Sequence, residues 1–299
     1  MNRKFSADKG PPSKRALILV GHGSTRFESA KTTTEAHAAA IATRGIYRIV
    51  RTAYLLGKPS LNNCLDNLRA NHVVVVPNFA CDGYLSRTVI PEVLNLTGGT
   101  TERIGPTGWQ GVRVTEAVGS HPLLDHIALA RISDVGRKLR LPPKELDVVV
   151  VGHGTTKSRE SFRATNRVAA KILAARLANQ ATALFLDEKP GLDEWRDLTT
   201  KRNVVVLPFL MSLGKHCGED IPKLLGLNER NPVLRETLIR GAAPFGPETV
   251  ADRRLWLCPP IGADPAMTEI ILDRAGLRDY RPRTKRSPNR CDRRRHGGS

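Results

Sequence analysis

VVVLPFLMSLGKHCGEDIP, residues 204–222, is the stretch whose reading decides the fold. Its leading run, 204–207, is wholly apolar and short, as a strand buried on both faces of a parallel sheet must be. Pro208 closes the run and opens a loop. The acidic pair Glu219–Asp220 predicts a helix start, where carboxylates meet the positive end of the dipole. His216 falls on the loop, at the carboxyl end of the strand, the edge at which parallel α/β sheets place binding and catalytic groups. The chain has already said nearly the same thing 131 residues earlier, in VVVVPNFACDGYLSRTVIP, residues 73–91. Pro77 matches Pro208, Gly83 matches Gly214, and Ile90-Pro91 match Ile221-Pro222. Leu85 stands where the second copy has His216.

Working outward, the duplication extends through both halves. Strand 16–20 ends in Gly21-His22-Gly23-Ser24-Thr25, and strand 147–151 ends in Gly152-His153-Gly154-Thr155-Thr156. Helices are predicted over 28–44 and 160–178, and second strands over 49–56 and 181–186. A short helix is expected to end near Arg69, another to begin at 90–96, and longer ones to cover 123–139 and the segment ending near Ala275. Fourth strands are predicted at 112–118 and 255–258. The paired prolines of LPPKE, 141–145, mark the hinge between halves. The offset stays at 131 from His22/His153 through Pro91/Pro222 and reaches 143 at Gly119/Gly262, which places a twelve-residue insertion in the second copy around 231–249. Strand–helix alternation with short turns predicts an α/β protein of two similar lobes, each a parallel four-stranded sheet flanked by helices, with a ligand cleft between them. The N-terminal lobe is 16–140 and the C-terminal lobe 146–277.

The bulk properties agree. The 299 residues suffice for two lobes, each with its own core, and an aromatic share of 5% makes those cores aliphatic. No apolar run approaches the roughly 20 residues that span a bilayer, and the apolar run after the basic N-terminus is too short for a signal peptide. The expectation is a cytoplasmic monomer without membrane contact. The five cysteines, Cys64, Cys81, Cys217, Cys258 and Cys291, never take CxxC spacing, so neither a disulfide framework nor a thiolate metal site is indicated. Of the net charge of +18, eleven units sit in tails 1–15 and 281–299. These read as basic, disordered and solvated rather than as nucleic-acid arms. The remaining positive surplus favours an acidic small-molecule substrate.

Three successive strand ends of the second copy deliver His153, the acids Asp187 and Glu188, and His216 to one rim. Imidazole and carboxylate at that edge could hold a first-row divalent metal or abstract protons from a ligand N–H near neutral pH. The first copy keeps His22 but has Leu56, Gly57 and Leu85 at the other positions, so the complete set belongs to one lobe. A GHGS/T turn alone could also be a polar strand–helix turn or a phosphate cradle. His121 reads as a helix cap, His37, His72 and His126 as surface or helix-face residues, and Cys217 as a bystander thiol.

The GHGS/T turns, the strand ending in FL-acid before a proline, and VVVxPFxxxxGxHxxxDIP together resemble the class II tetrapyrrole chelatases. The chain is most similar to the long, two-repeat sirohydrochlorin cobaltochelatases of cobalamin synthesis and their ferrochelatase relatives. Residues 118–124 and 260–272 match further family segments, and the resemblance spans about 16–276. It implies a chelatase-like fold that holds a tetrapyrrole between the lobes and inserts a divalent metal (cobalt, iron or nickel) with no other cofactor. It maps the two metal-site histidines onto His153 and His216 and the family's acid onto Asp187 or Glu188. His22, Ser24, Thr155, Lys157 and Lys215 are the expected substrate contacts. Histidine phosphatases carry Arg immediately before the His, whereas Gly21 and Gly152 stand here, which disfavours a phosphohydrolase.

Overall fold

The computed structural model describes residues 14–155, 159–241 and 243–277; Lys157 and all of the tails except Lys14 and Arg15 lie outside them. The first lobe runs β1 (Arg15–Gly23), α1 (Ser29–Ala42), β2 (Ile49–Leu56), β3 (His72–Pro77), α2 (Ile90–Val93), β4 (Thr101–Gly105), β5 (Gly108–Val114) and α3 (Pro122–Leu139). The second runs β6 (Leu146–Gly152), α4 (Glu160–Ala174), β7 (Gln180–Phe185), β8 (Asn203–Pro208), α5 (Ile221–Leu225), α6 (Pro232–Arg240), β9 (Phe245–Val250), β10 (Arg253–Leu257) and α7 (Met267–Arg274). The sheets share one topology, β2-β1-β3-β5-β4 and β7-β6-β8-β10-β9. Four strands of each are parallel, as expected. The edge strands β4 and β9 add an antiparallel fifth that the sequence hid.

The physical reason is visible in the residues. β4 and β5 meet at a Gly-Pro-Thr-Gly turn, and their large apolar side chains Ile104 and Trp109 stay exposed, so no alternation marks a half-buried edge. The fourth parallel strand of the first lobe also ends earlier than expected. Pairing with β3 stops at Val75 and Val114, and 118–120 close a 3₁₀ turn that leads into α3. The short helix expected near Arg69 is a 3₁₀ turn at Leu61–Asn63. The insertion is helix α6. Val73 pairs with Val112 and Val204 with Leu255, so the second lobe is twelve residues longer between those strands.

The central strands are apolar at every position, and their alternation splits them between two cores. In β6, Val149 and Val151 pack outward under α5, while Val148 and Val150 face a cluster shared with the other lobe. Leu17 and Leu19 of β1 enter the same cluster, and Ile18 and Val20 enter the first lobe's outer core. The expectation of one separate core per lobe is therefore corrected: among the described residues there are three clusters, and the largest joins both repeats. Helices α1, α3, α4 and α7 fill the seam.

The seam is also tied by polar contacts. Thr33 Oγ1 of α1 donates to the Met211 carbonyl at 2.9 Å, and His37 Nε2 lies 2.7 Å from the Gly262 carbonyl. His37, expected on a surface or a helix face, lies on the buried face of α1, and burial lowers its pKa. His121 caps α3 as expected, its Nδ1 accepting from Leu123 N, and its Nε2 reaches Asp273 of α7 at 2.6 Å. Arg131 of α3 answers symmetrically, pairing with Asp264 at 2.7 Å just before α7.

Candidate active site

β6 ends at Gly152, and the chain must turn at once to leave room for an imidazole at the sheet edge. Gly154 makes that turn at φ +77°, and a Cβ there would lie 2.8 Å from Glu188 Cγ, so both conformation and space require glycine. His153 is thereby left half-exposed at the rim. The chain leaving the neighbouring strand β7 stays beside this turn, with Asp187 N donating to the His153 carbonyl at 3.0 Å. This brings Asp187 Oδ2 to 3.2 Å from His153 Nδ1. Glu188 turns the other way and accepts from Thr155 N at 3.3 Å, bracing the GHGT turn. The two acids, interchangeable in the sequence, therefore have different neighbours.

The third strand end differs from its expected form. His216 is the first residue of a π-helical turn, His216–Asp220, and not a loop residue before a helix at 219. Ile221 N closes the turn on the His216 carbonyl, five residues back. The loop before this turn rests on the first lobe: Met211 accepts from Thr33, and Gly214 abuts Ala30. Together these elements place His153 Nε2 and His216 Nε2 3.1 Å apart, with the rings nearly perpendicular at 88°. Two imidazole nitrogens bound at about 2.1 Å to adjacent positions of one metal are roughly 3 Å apart, so the spacing suits a single shared ion. Among the described residues no group of three or more His, Cys, Asp or Glu converges as a metal site, Asp187 and Glu188 included. A metal on the imidazole pair would keep open positions for an incoming ligand.

The His216 pKa is lowered, first by burial and then by the neighbouring His153, against the opposing pull of Asp220. The neutral ring, which has a lone pair to offer, is favoured. His216 Nδ1 lies 2.8 Å from Asp220 Oδ2, and Lys215 Nζ holds the other carboxylate oxygen at 3.1 Å. Lys215, expected to meet substrate, is thus engaged within the turn. From the sequence Asp220 reads chiefly as a helix-start residue, with a proton-relay role as the lesser alternative; the signal that ties it to His216 is their four-residue spacing, which puts both on one face. Cys217 is buried with its thiol pKa pushed up, as befits a bystander.

The first lobe supplies the comparison. His22 is exposed, with Nδ1 3.2 Å from the Gly23 carbonyl. Leu85 opens the matching π-helical turn, Leu85–Val89, and Leu56 is exposed at the place of Asp187. Ser24 Oγ accepts from Arg26 N and Phe27 N at 3.1 and 3.0 Å, so it shapes its own turn. Lys157 lies outside the described residues. No described helix is long and apolar enough to cross a membrane.

Known proteins resemble the chain over both repeats. The family model described as CbiX matches twice, over residues 16–135 and 147–276. A Halobacterium salinarum protein described as "Probable sirohydrochlorin cobaltochelatase" is 29% identical over 274 residues, covering 87% of this chain and 90% of that one. DR2241 of Deinococcus radiodurans, a multi-domain protein with structural similarity to chelatases, superposes with TM-score 0.64 at 25% identity. That match takes in 90% of this chain but spans only 56% of DR2241. CbiX, "the terminal Enzyme for Biosynthesis of Siroheme in Denitrifying Bacteria", superposes with TM-score 0.62 at 23% identity, over 89% of this chain and 99% of that one, a likeness of fold.

Proposed function

The chain belongs to the CbiX family, and on that premise we propose that it inserts a divalent metal, Co²⁺ foremost, into sirohydrochlorin in cobalamin synthesis. The observation that carries this reading is the pair of imidazole nitrogens 3.1 Å apart at the carboxyl edge of the second sheet. The reaction balances simply: the metal enters the ring, two pyrrole N–H protons leave, and no ATP is consumed. His153 and His216 hold the incoming ion on Nε2, or one takes a pyrrole proton while the other holds it. Asp187, 3.2 Å from His153 Nδ1, can carry a proton toward solvent, and Glu188 keeps the turn in shape. His22, Ser24, Thr155 and Lys215, the last beyond its pairing with Asp220, are the proposed contacts for the macrocycle's carboxylates, together with Lys157, which lies outside the described residues. The metal is substrate, and no further cofactor is invoked. The working form is a monomer in the cytoplasm.

Imidazole and carboxylate donors accept Co²⁺, Fe²⁺ and Ni²⁺ alike, so the donor set does not choose among them. The names of the relatives divide on the same point, one a cobaltochelatase and the other an enzyme of siroheme synthesis. Iron insertion is therefore the second reading, and a carrier that binds tetrapyrrole or metal without turnover is the third. Purified protein mixed anaerobically with sirohydrochlorin and each metal decides among them by the change in absorbance. Many equivalents converted per chain, fastest with Co²⁺, is the expected result. Conversion fastest with Fe²⁺ moves the protein to siroheme synthesis, and binding without turnover leaves the carrier.

A further inference from the structure

Resting on the chelatase reading above, we propose that Asp220, held by Lys215, is the positioning residue that turns the metal-binding nitrogen of His216 toward the cleft. A neutral imidazole carries its proton on one nitrogen and a lone pair on the other, and the partner of the first decides which. Asp220 Oδ2 lies 2.8 Å from His216 Nδ1, and an ionised carboxylate only accepts. The proton therefore sits on Nδ1, and Nε2 presents its lone pair to the same space as His153 Nε2. Lys215 at 3.1 Å occupies Asp220 Oδ1, which fixes the plane of the carboxylate and directs the other oxygen at the ring.

With an ion between the two Nε2 atoms, 3.1 Å apart, the opposite imidazole takes the same state by another route. His153 Nδ1 lies 2.7 Å from the Gly154 carbonyl, which likewise only accepts. That restraint belongs to the GHG turn itself, and His22 retains it with the Gly23 carbonyl. The two lobes thus share the backbone restraint and differ in the side-chain one. Leu85 and Val89 hold the first and last places of the π-helical turn that His216 and Asp220 hold in the second lobe. Histidine and aspartate are present together in one lobe and absent together from the other. The first lobe forms the matching turn with Val89 in place, so this backbone shape does not itself call for an aspartate. A capping role would leave that pairing without a reason; orienting the ring supplies one, as outer carboxylates do for metal-binding histidines generally.

Asp220→Val, which copies the residue at the matching place of the first lobe's π-helical turn, is the direct test. Nitrogen-15 NMR of the metal-free full chain reads the His216 tautomer, and titration with Co²⁺ alone, followed by its ligand-field absorbance, reads affinity. The variant is expected to lose the Nδ1–H tautomer and about 10- to 100-fold in Co²⁺ affinity, while its far-UV spectrum stays native. Asp220→Asn, which keeps a carbonyl acceptor for Nδ1–H, should retain the tautomer and most of the affinity. An unchanged tautomer in Asp220→Val overturns the proposal, as does a changed one with unchanged affinity. An Asn variant as weak as Val also overturns it, since charge and not orientation would then be at work. Neither readout needs sirohydrochlorin, so failure of the chelatase reading would be seen separately, as absence of insertion by the wild-type chain.

Discussion

His37 shows how a single residue reports on the seam between repeats. Its ring is buried between α1 and the Gly262 carbonyl, with Thr268 Oγ1 3.5 Å from Nδ1 and Asp264 as its nearest influential charge. Burial depresses its pKa below the ordinary 6.5, so the unfolded chain binds a proton in acid that the folded chain refuses. Stability from this residue is complete above that value and falls as pH drops toward the folded pKa, by at most about 1.4 kcal/mol per unit for one proton. His37→Gln keeps a donor for Gly262 without the charge, so its urea midpoints should vary less between pH 7.5 and 5.5 than the native ones; equal slopes would contradict the assignment. The contrast with His153 and His216 explains what the sequence made legible. Those two stand at strand ends in a repeated pattern, and the repeat gave each a register. His37 sits in an Ala-rich helix, and its partner lies 225 residues away, a contact only the docked lobes create. Asp187 and Glu188 were legible as a pair but not as individuals, because the twist of the chain after β7 decides which one meets the imidazole.

At the scale of elements, the close approach of turns to strand-end loops is what positions the rim. A Cβ on Gly262 would overlap the backbone of Met211, and one on Gly119 would overlap that of Ala80, the corresponding place in the first lobe. Overpacking of this kind costs about 1–3 kcal/mol, so Gly119→Ala and Gly262→Ala should both lower urea midpoints. Only Gly262→Ala presses on the loop that carries His216. It should therefore also lower kcat for metal insertion, whereas Gly119→Ala should turn over normally wherever it is folded. Equal kcat losses would mean that the loop is not the route. The parallel strands were readable because each is an unbroken aliphatic run. Strands β4 and β9 were not, since they hold few apolar residues and these do not alternate with polar ones, although Phe245 and Val250 reach the outer core. The insertion was placed within 231–249 by the shift in offset, but its helical form, α6, depends on packing of Leu234 and Leu238 into the outer core. The π-helical turns were not legible, because Ile90-Pro91 and the acidic pair Glu219–Asp220 read as starts of helices that the chain has already begun.

For the whole molecule, the shared core makes the repeats one folding unit. Because Leu17, Val76, Val148, Val205 and Ile270 belong to a single cluster, calorimetry should record one cooperative transition for both lobes; two resolved transitions would contradict a common core. The same arrangement explains what the first lobe does without a complete site: α1 supports the Met211–Gly214 loop that leads to His216. Two lobes of one ancestry, a single joint core and one imidazole pair make an asymmetric enzyme from a symmetric plan. The measurement that bears most directly on this asymmetry is metal insertion into sirohydrochlorin by His22→Ala, His153→Ala and His216→Ala, assayed side by side with the native chain. The second and third should lose activity by two orders of magnitude or more, on the order of 3 kcal/mol of transition-state stabilisation, while the first is only weakened. Equal loss in all three would contradict a single working site in the second lobe.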